Sequence, residues 1–123
     1  MGTILLIDDD EMILETMQVL LSESGYRIIA TADGPRGIEL YKTERPDLVL
    51  LDLGLPSMSG VEVLNEIRRH DAAAKVIVIT GYGSVETAVL TLRSGALDFF
   101  EKGTDIQDLL RKIESAFQDG HKK

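Results

Sequence analysis

The sequence has no cysteine, no tryptophan and only three prolines. Without cysteine there is no disulfide scaffold, no thiolate nucleophile and no Cys-ligated zinc or iron–sulfur site. A cytoplasmic home is the expectation that fits. No stretch approaches the ~20 consecutive apolar residues of a membrane helix. The opening segment, MGTILLIDDD, lacks a basic n-region and a cleavage site, so it does not read as a signal peptide. Gly2 is present, but Leu6 stands where a myristoylation signal carries Ser or Thr. Internal repeats, low-complexity runs and linkers are missing as well. Positive charge is in short supply: 13 Lys and Arg face 21 Asp and Glu, for a net charge of −8. An acidic body repels phosphate backbones, which argues against direct nucleic-acid binding.

The chain is of ordinary globular composition, 44% hydrophobic and 28% charged over 123 residues. That length suits one domain, with a core over about residues 3–118 and a flexible, solvated tail at 119–123. Short apolar runs alternate with longer amphipathic segments. The runs are ILLI (4–7), RIIA (27–30), LVLL (48–51), VIVI (76–79) and LDFF (97–100). They are too short for helices and rich in branched side chains, so they read as strands. Continuous apolar runs, rather than alternation, predict a parallel sheet covered on both faces.

The segments between have helical period. Ile13, Met17, Leu20 and Leu21 form one stripe, Val85, Ala88, Val89 and Leu92 another, and Ile106, Leu109, Leu110, Ile113 and Phe117 a third. Ser59 with Glu62, and Thr104 with Gln107, match the capping box. Gly25, Gly95 and Gly120 stand where C-terminal caps are expected. Pro35 falls in the first turn of the weakest helix, about 34–43. Met12, Met17 and Met58 read as gap-filling core or loop residues. Five strands and five helices in strict alternation predict an α/β fold, a three-layer α/β/α sandwich with right-handed crossovers. Strand order 2-1-3-4-5, one of the two common doubly wound orders, places a crevice at the ends of strands 1 and 3.

Ligands of such sheets bind beyond the carboxyl ends of the strands. Strand 1 ends in Asp8-Asp9-Asp10, strand 3 in Asp52, strand 4 in Thr80-Gly81 and strand 5 in Glu101-Lys102. Taken singly, each has a bland reading. Asp10 serves as a helix N-cap, Asp52 as a turn residue, Thr80 as a satisfied hydroxyl and Lys102 as a solvated charge. Those readings do not explain why all converge on one rim. Two like charges ~4 Å apart repel by roughly 4 kcal/mol at an effective dielectric of 20, so the acids need a shared proton or a cation. Carboxylates, water and a backbone carbonyl suit Mg²⁺. A carboxylate beside Mg²⁺ with an open phosphate position can accept a phosphoryl group. Thr80 would hydrogen-bond one phosphoryl oxygen, Gly81 would leave room for it, and Lys102 would meet another.

With these residues in view, the chain resembles the receiver domain of bacterial two-component response regulators. The likeness rests on the acidic run after strand 1, LLDLGLPSMSG (50–60), ITG (79–81) and the Glu101-Lys102 pair, and covers about residues 3–118. The stretch TGYGSVETAVLTLRSGALDFFEK (80–102) is similar to receivers of the nitrogen-regulation type. The resemblance implies a flavodoxin-like fold, Asp52 as phosphoacceptor, and Mg²⁺, with Mn²⁺ as a substitute. Asp9 and Asp52 would be direct metal ligands, Asp8 a weaker or water-mediated one, and Gly54 would contribute its backbone carbonyl. Thr80 would be the switch hydroxyl, Gly81 its small neighbour, Lys102 the phosphoryl-binding cation, and Phe99 the aromatic whose rotamer follows Thr80. Pro56 and Gly60 match the turn after the acceptor. Gly103 departs from the family, which usually has a proline there, often after a cis bond. Glycine implies a trans bond and a looser, less well aimed Lys102 loop.

The implied role is signalling, not enzymatic turnover beyond self-catalysed phosphotransfer and autodephosphorylation. The donor would be a sensor histidine kinase or phosphotransfer protein, because neither His70 nor His121 is placed to serve. The phosphorylated domain would alter its helix 4, strand 5 and helix 5 surface toward an output domain or protein, or a second copy in a phosphorylation-dependent homodimer. Two alternatives compete. One is a receiver-like interaction module that works without phosphorylation. The other is a small haloacid-dehalogenase-type phosphatase using Asp8, in which Asp8 and Asp10 supply a D-x-D but no acidic pair follows Lys102. A flavodoxin-like FMN binder shares the topology but would set an anionic phosphate against three unaided aspartates.

Overall fold

A computed structural model describes residues 2–56, 58–81 and 85–118. The elements run β1 (Thr3–Ile7), α1 (Glu11–Glu23), β2 (Arg27–Thr31), α2 (Gly34–Glu44), β3 (Leu48–Asp52), α3 (Gly60–His70), β4 (Val76–Thr80), α4 (Val85–Arg93), β5 (Asp98–Glu101) and α5 (Ile106–Gln118). All strand pairs are parallel, in the expected doubly wound order β2-β1-β3-β4-β5. The expected tail at 119–123 and the cap at Gly120 lie outside the described residues.

Successive side chains of a strand face opposite ways, and the core divides accordingly. Leu5, Ile7, Val49, Leu51 and Val78 pack with Val63, Leu64 and Ile67 of α3. Ile4, Leu6, Leu48, Leu50, Ile77 and Ile79 pack with Met17 and Leu21 of α1 and Leu109 and Ile113 of α5. Strands β3 and β4 are buried along their whole length, which is why their sequences are unbroken apolar runs.

Helix boundaries follow local chemistry. Asp10 caps α1, accepting from the N–H groups of Met12 and Ile13 at 3.0 and 3.3 Å. Ser59 and Glu62 form the reciprocal capping box of α3. Pro35 sits in the first turn of α2. Gly25 and Gly95 adopt the positive φ of helix-terminating residues. The Thr104–Gln107 box does not form. The Thr104 hydroxyl donates back to the Glu101 carbonyl, and Asp105 accepts from the Gln107 N–H instead. An aspartate one position later competes better for the helix's first free N–H groups.

Helix α4 departs from its predicted stripe of Val85, Ala88, Val89 and Leu92, of which the Val85 side chain lies outside those described. Ala88 and Thr91 face the sheet, while Val89, Leu90 and Leu92 are 44%, 57% and 39% exposed. The reason is a buried threonine. The Thr91 hydroxyl bonds to the Ala88 carbonyl at 2.5 Å, so it needs no water. A stripe drawn only through apolar residues misses a hydroxyl that satisfies itself.

Two contacts fix the loops that matter for the upper rim and the α2–α3 side. A Cβ on Gly60 would stand 2.4 Å from the Leu53 Cα and 2.7 Å from the Asp52 carbonyl oxygen. Both are backbone atoms that cannot yield cheaply. Gly60→Ala therefore forces the segment after β3 outward, and a loss of about 1–3 kcal/mol is expected in denaturant melts. The Tyr41 hydroxyl of α2 donates to Asp71 Oδ2 at 2.7 Å. That hydrogen bond, with the Ala73 N–H, holds the Asp71 carboxyl below its ordinary pKa. A lowered folded-state pKa contributes stability above the unfolded value, and this is lost as pH falls through the folded one. Tyr41→Phe should cost about 1 kcal/mol at neutral pH, less in acid, and NMR titration should show the Asp71 midpoint rising.

Candidate functional site

Register brings the strand ends together. Ile7 of β1 lies beside Leu51 of β3, so Asp8 follows next to Asp52. Asp52 pairs with Ile79 of β4, and Thr80 with Glu101 of β5. The residues one step beyond these pairs form the carboxyl rim of the sheet.

Asp8 is fully buried. Its N–H donates to the Thr31 carbonyl at 3.1 Å and its Oδ1 accepts from the Asp10 N–H at 2.9 Å. Its Oδ2 is buried without a hydrogen-bond donor. Asp52 is 4% exposed, and its Oδ1 accepts from the Gly54 N–H at 3.0 Å. Asp9 is exposed. Carboxylate oxygens of Asp8, Asp9 and Asp52 all lie within 4.8 Å of one another. The Lys102 Nζ stands 3.3 Å from Asp8 Oδ2 and 3.3 Å from Asp52 Oδ2.

Three carboxylates thus face one ammonium, and a single lysine does not balance them. Burial is the main force pushing the Asp8 carboxyl up to about 6, with Asp52 adding to it against the Asp10 N–H and Lys102. Burial disfavours the Lys102 ammonium, but Asp8 and Asp52 outweigh that and hold its pKa above the ordinary lysine value. Asp8 Oδ2, buried with no hydrogen bond and only the shared Lys102 ammonium beside it, lies with carboxylate oxygens of Asp9 and Asp52, a set of hard donors that fits a divalent cation.

Above the carboxylates opens a cavity of about 680 Å³ lined by Asp9, Asp52, Gly54, Thr80, Gly81 and Lys102, together with Asp10, Leu53 and Thr87. Thr80 is fully buried at its wall. A Cβ on Gly81 would meet nothing within 4 Å, which leaves room beside that hydroxyl. Phe99 stands apart from the cavity. It is half-buried on β5, with its ring 5.4 Å from the Lys112 Nζ. Thr87 escaped the sequence reading because an exposed helical threonine carries no periodic signal. A second hollow of about 670 Å³ lies around Tyr26, Asp47, Lys75 and Phe117. These residues belong to the opposite rim of the sheet, away from the acid cluster.

Two expectations change here. The Lys102–Gly103 bond is trans, as expected, yet the lysine is well aimed, equidistant from two carboxylates. The D-x-D reading loses its second acid, because Asp10 is engaged in capping α1. Among the described residues, no helix is long and apolar enough to cross a membrane.

The chain matches the response regulator receiver domain family over residues 4–114. It is 33% identical over 115 residues to the regulatory protein AtoC of Escherichia coli (strain K12), covering 94% of this chain and 25% of that protein. The chain spans about a quarter of the length of that curated relative. A CheY-like response regulator receiver domain protein from Methanospirillum hungatei JF-1 superimposes with a TM-score of 0.92 at 33% identity, covering 99% of this chain and 98% of that one. The receiver domain of NtrX from Brucella abortus gives a TM-score of 0.90 at 31% identity, covering 94% of this chain and 98% of that one. Fold, rim chemistry and sequence agree: this chain belongs to the response regulator receiver domain family of two-component signalling.

Proposed function

We propose that residues 1–123 form a single receiver domain in which Asp52 accepts a phosphoryl group from a phosphohistidine of a sensor histidine kinase or phosphotransfer protein. The observation that carries this reading is the pairing of Asp52 with Lys102 at the floor of the cavity, beside the half-satisfied carboxylate of Asp8. Asp52 Oδ1 is tied to the Gly54 N–H. A carboxylate oxygen of Asp52 attacks phosphorus, the new P–O bond forms, the P–N bond breaks, and the imidazole leaves with its electron pair. Lys102 meets the charge that develops on the phosphoryl oxygens, a role that positioned cations fill in phosphoryl transfer. Mg²⁺, or Mn²⁺ in its place, would be held by Asp9, Asp52 and the Gly54 carbonyl, with Asp8 as a weaker partner, and when bound supplies charge neutralisation. Water later cleaves the acyl phosphate.

Thr80 and Gly81 line the same cavity as Asp52, which supports the Thr80 hydroxyl as the partner of a phosphoryl oxygen there. Drawing that hydroxyl inward gives Phe99 a new space, and the α4–β5–α5 surface shifts as the output. The exposed Val89, Leu90, Leu92 and Leu97 support an interface there, with an output domain, a separate protein or a second copy. The convergence of Asp52, Thr80 and Lys102 on one cavity favours phosphorylation over a receiver-like module that needs none.

Incubation with a small phosphodonor and Mg²⁺ should add one phosphoryl mass, and Asp52→Asn should remove it. An unchanged mass increment in that variant refutes the assignment. A second test uses pH. The Asp8 pKa is about 6 when folded against 3.8 for the ordinary carboxyl. The folded state therefore holds this proton more tightly. The associated stability is present below the unfolded value and lost as pH rises through the folded one. Mg²⁺ competes for the same oxygens, so its affinity should fall as pH drops through that range. At ~100 times its dissociation constant, Mg²⁺ should stabilise the fold by about 2.7 kcal/mol in melts at neutral pH. An affinity that is flat between about pH 5 and 8 contradicts the reading.

A further inference from the structure

We infer that Gly103 is a positioning residue for phosphoryl transfer: its left-handed backbone conformation aims the Lys102 ammonium at the acceptor. The inference rests on the reading that Lys102 meets the phosphoryl group.

Lys102 leaves the sheet on a firm hold. Its N–H donates to the Thr80 carbonyl at 2.8 Å, extending the β4–β5 ladder one residue past β5. The chain must then reverse within a few residues to enter α5 at Ile106. The Thr104 N–H reaches back to the Glu101 carbonyl at 3.3 Å, and the Thr104 hydroxyl joins the same oxygen at 2.7 Å. Residues 101–104 thus form a four-residue turn. Gly103 has φ +91°, and Lys102 is not among the residues of positive φ. A negative φ at the first corner followed by a positive φ at the second is the signature of a type II turn, which favours glycine at the second corner. Lys102 occupies the first corner, with its side chain over Asp8 and Asp52.

Two further facts isolate φ as the determinant. A Cβ at Gly103 would meet nothing within 4 Å, so space does not require glycine there. Beneath the Lys102 stem is an apolar void of about 100 Å³ lined by Ile13, Met17, Ile79, Phe100, Ile106 and Leu109, and by the turn itself. Packing from below is therefore incomplete, and the turn sets the lysine's direction. A β-branched residue at this position disfavours the positive φ and changes the turn, whereas asparagine tolerates it. With a void below, no packed neighbour would restore the aim.

The test compares Gly103→Val, Gly103→Asn and Lys102→Gln. It measures the rate at which acetyl phosphate labels Asp52 with saturating Mg²⁺, Mg²⁺ affinity without donor, and melting temperature. Lys102→Gln should slow labelling by about 10²-fold. Gly103→Val should slow it at least about tenfold, and Gly103→Asn should recover most of the rate. Mg²⁺ affinity should hold or rise in Gly103→Val, because a displaced ammonium no longer competes for Asp8 and Asp52. A merely structural role would lower melting temperature and Mg²⁺ affinity together and leave the labelling rate at saturating Mg²⁺ unchanged. Wild-type labelling by Gly103→Val, with Lys102→Gln slow, overturns the inference alone. Equal slowing in the valine and asparagine variants also overturns it. A normal rate in Lys102→Gln, or no label on Asp52 in the unsubstituted chain, sinks the underlying reading and this inference with it.

Discussion

The mutual repulsion of Asp8, Asp9 and Asp52 is the constraint around which the rim is built. Their oxygens share a space 4.8 Å across, and one of the acids is fully buried. At ~4 Å separation each like-charged pair costs roughly 4 kcal/mol at an effective dielectric of 20. A fold whose net stability is about 5–15 kcal/mol cannot carry three such terms unopposed. Lys102 opposes part of that repulsion, and proton uptake by Asp8 near pH 6 opposes more. What remains is a standing demand for positive charge, and that demand gives the site its chemistry.

The sheet makes this arrangement affordable. Acids that repel at the rim are anchored by strands that are apolar on both faces, so the carboxylates cannot splay without dragging β1 or β3 out of the core. The glycine at position 60 does related work from the other side. It lets the start of α3 press against the backbone of Asp52 and Leu53, which limits where the Asp52 carboxylate can go. Rigid strands below and a tight loop beside them preorganise a charge cluster that would relax apart in solution.

Much of this was legible in the residues because burial on both faces writes a continuous signal. The five apolar runs gave the strands to within a residue or two at each end. Alternation with amphipathic segments gave the layers, and the order was one of the two common to doubly wound sheets. The rim followed, since any polar residue just past a parallel strand lands at the same edge. Three features were not readable. The face of α4 turned on Thr91, whose hydroxyl hides in a backbone bond. The α5 cap fell on Asp105 because two candidate caps one residue apart compete through geometry that sequence does not encode. The aim of Lys102 depended on the sign of one backbone angle, which a glycine permits without specifying.

The contrast between α4 and α5 bears on how a charge change at Asp52 could travel. Helix α5 seals Leu109, Ile113 and Ala116 against the sheet. Helix α4 offers Ala88 and the aliphatic part of Thr91, and keeps its larger Val89, Leu90 and Leu92 outside. At about 25 cal/mol per Å² of apolar surface, an alanine and a threonine, the buried side chains among those described in α4, contribute far less than the leucine and isoleucine of α5. Weakly held elements sit at the low end of local unfolding free energies, where a small bias redistributes conformers. Thr87 of that same helix lines the acidic cavity, so α4 touches the site with one face while presenting unburied hydrocarbon on another. A rearrangement at the rim therefore meets little resistance in α4, whose described side chains bury little hydrocarbon against the sheet and leave Val89, Leu90 and Leu92 exposed.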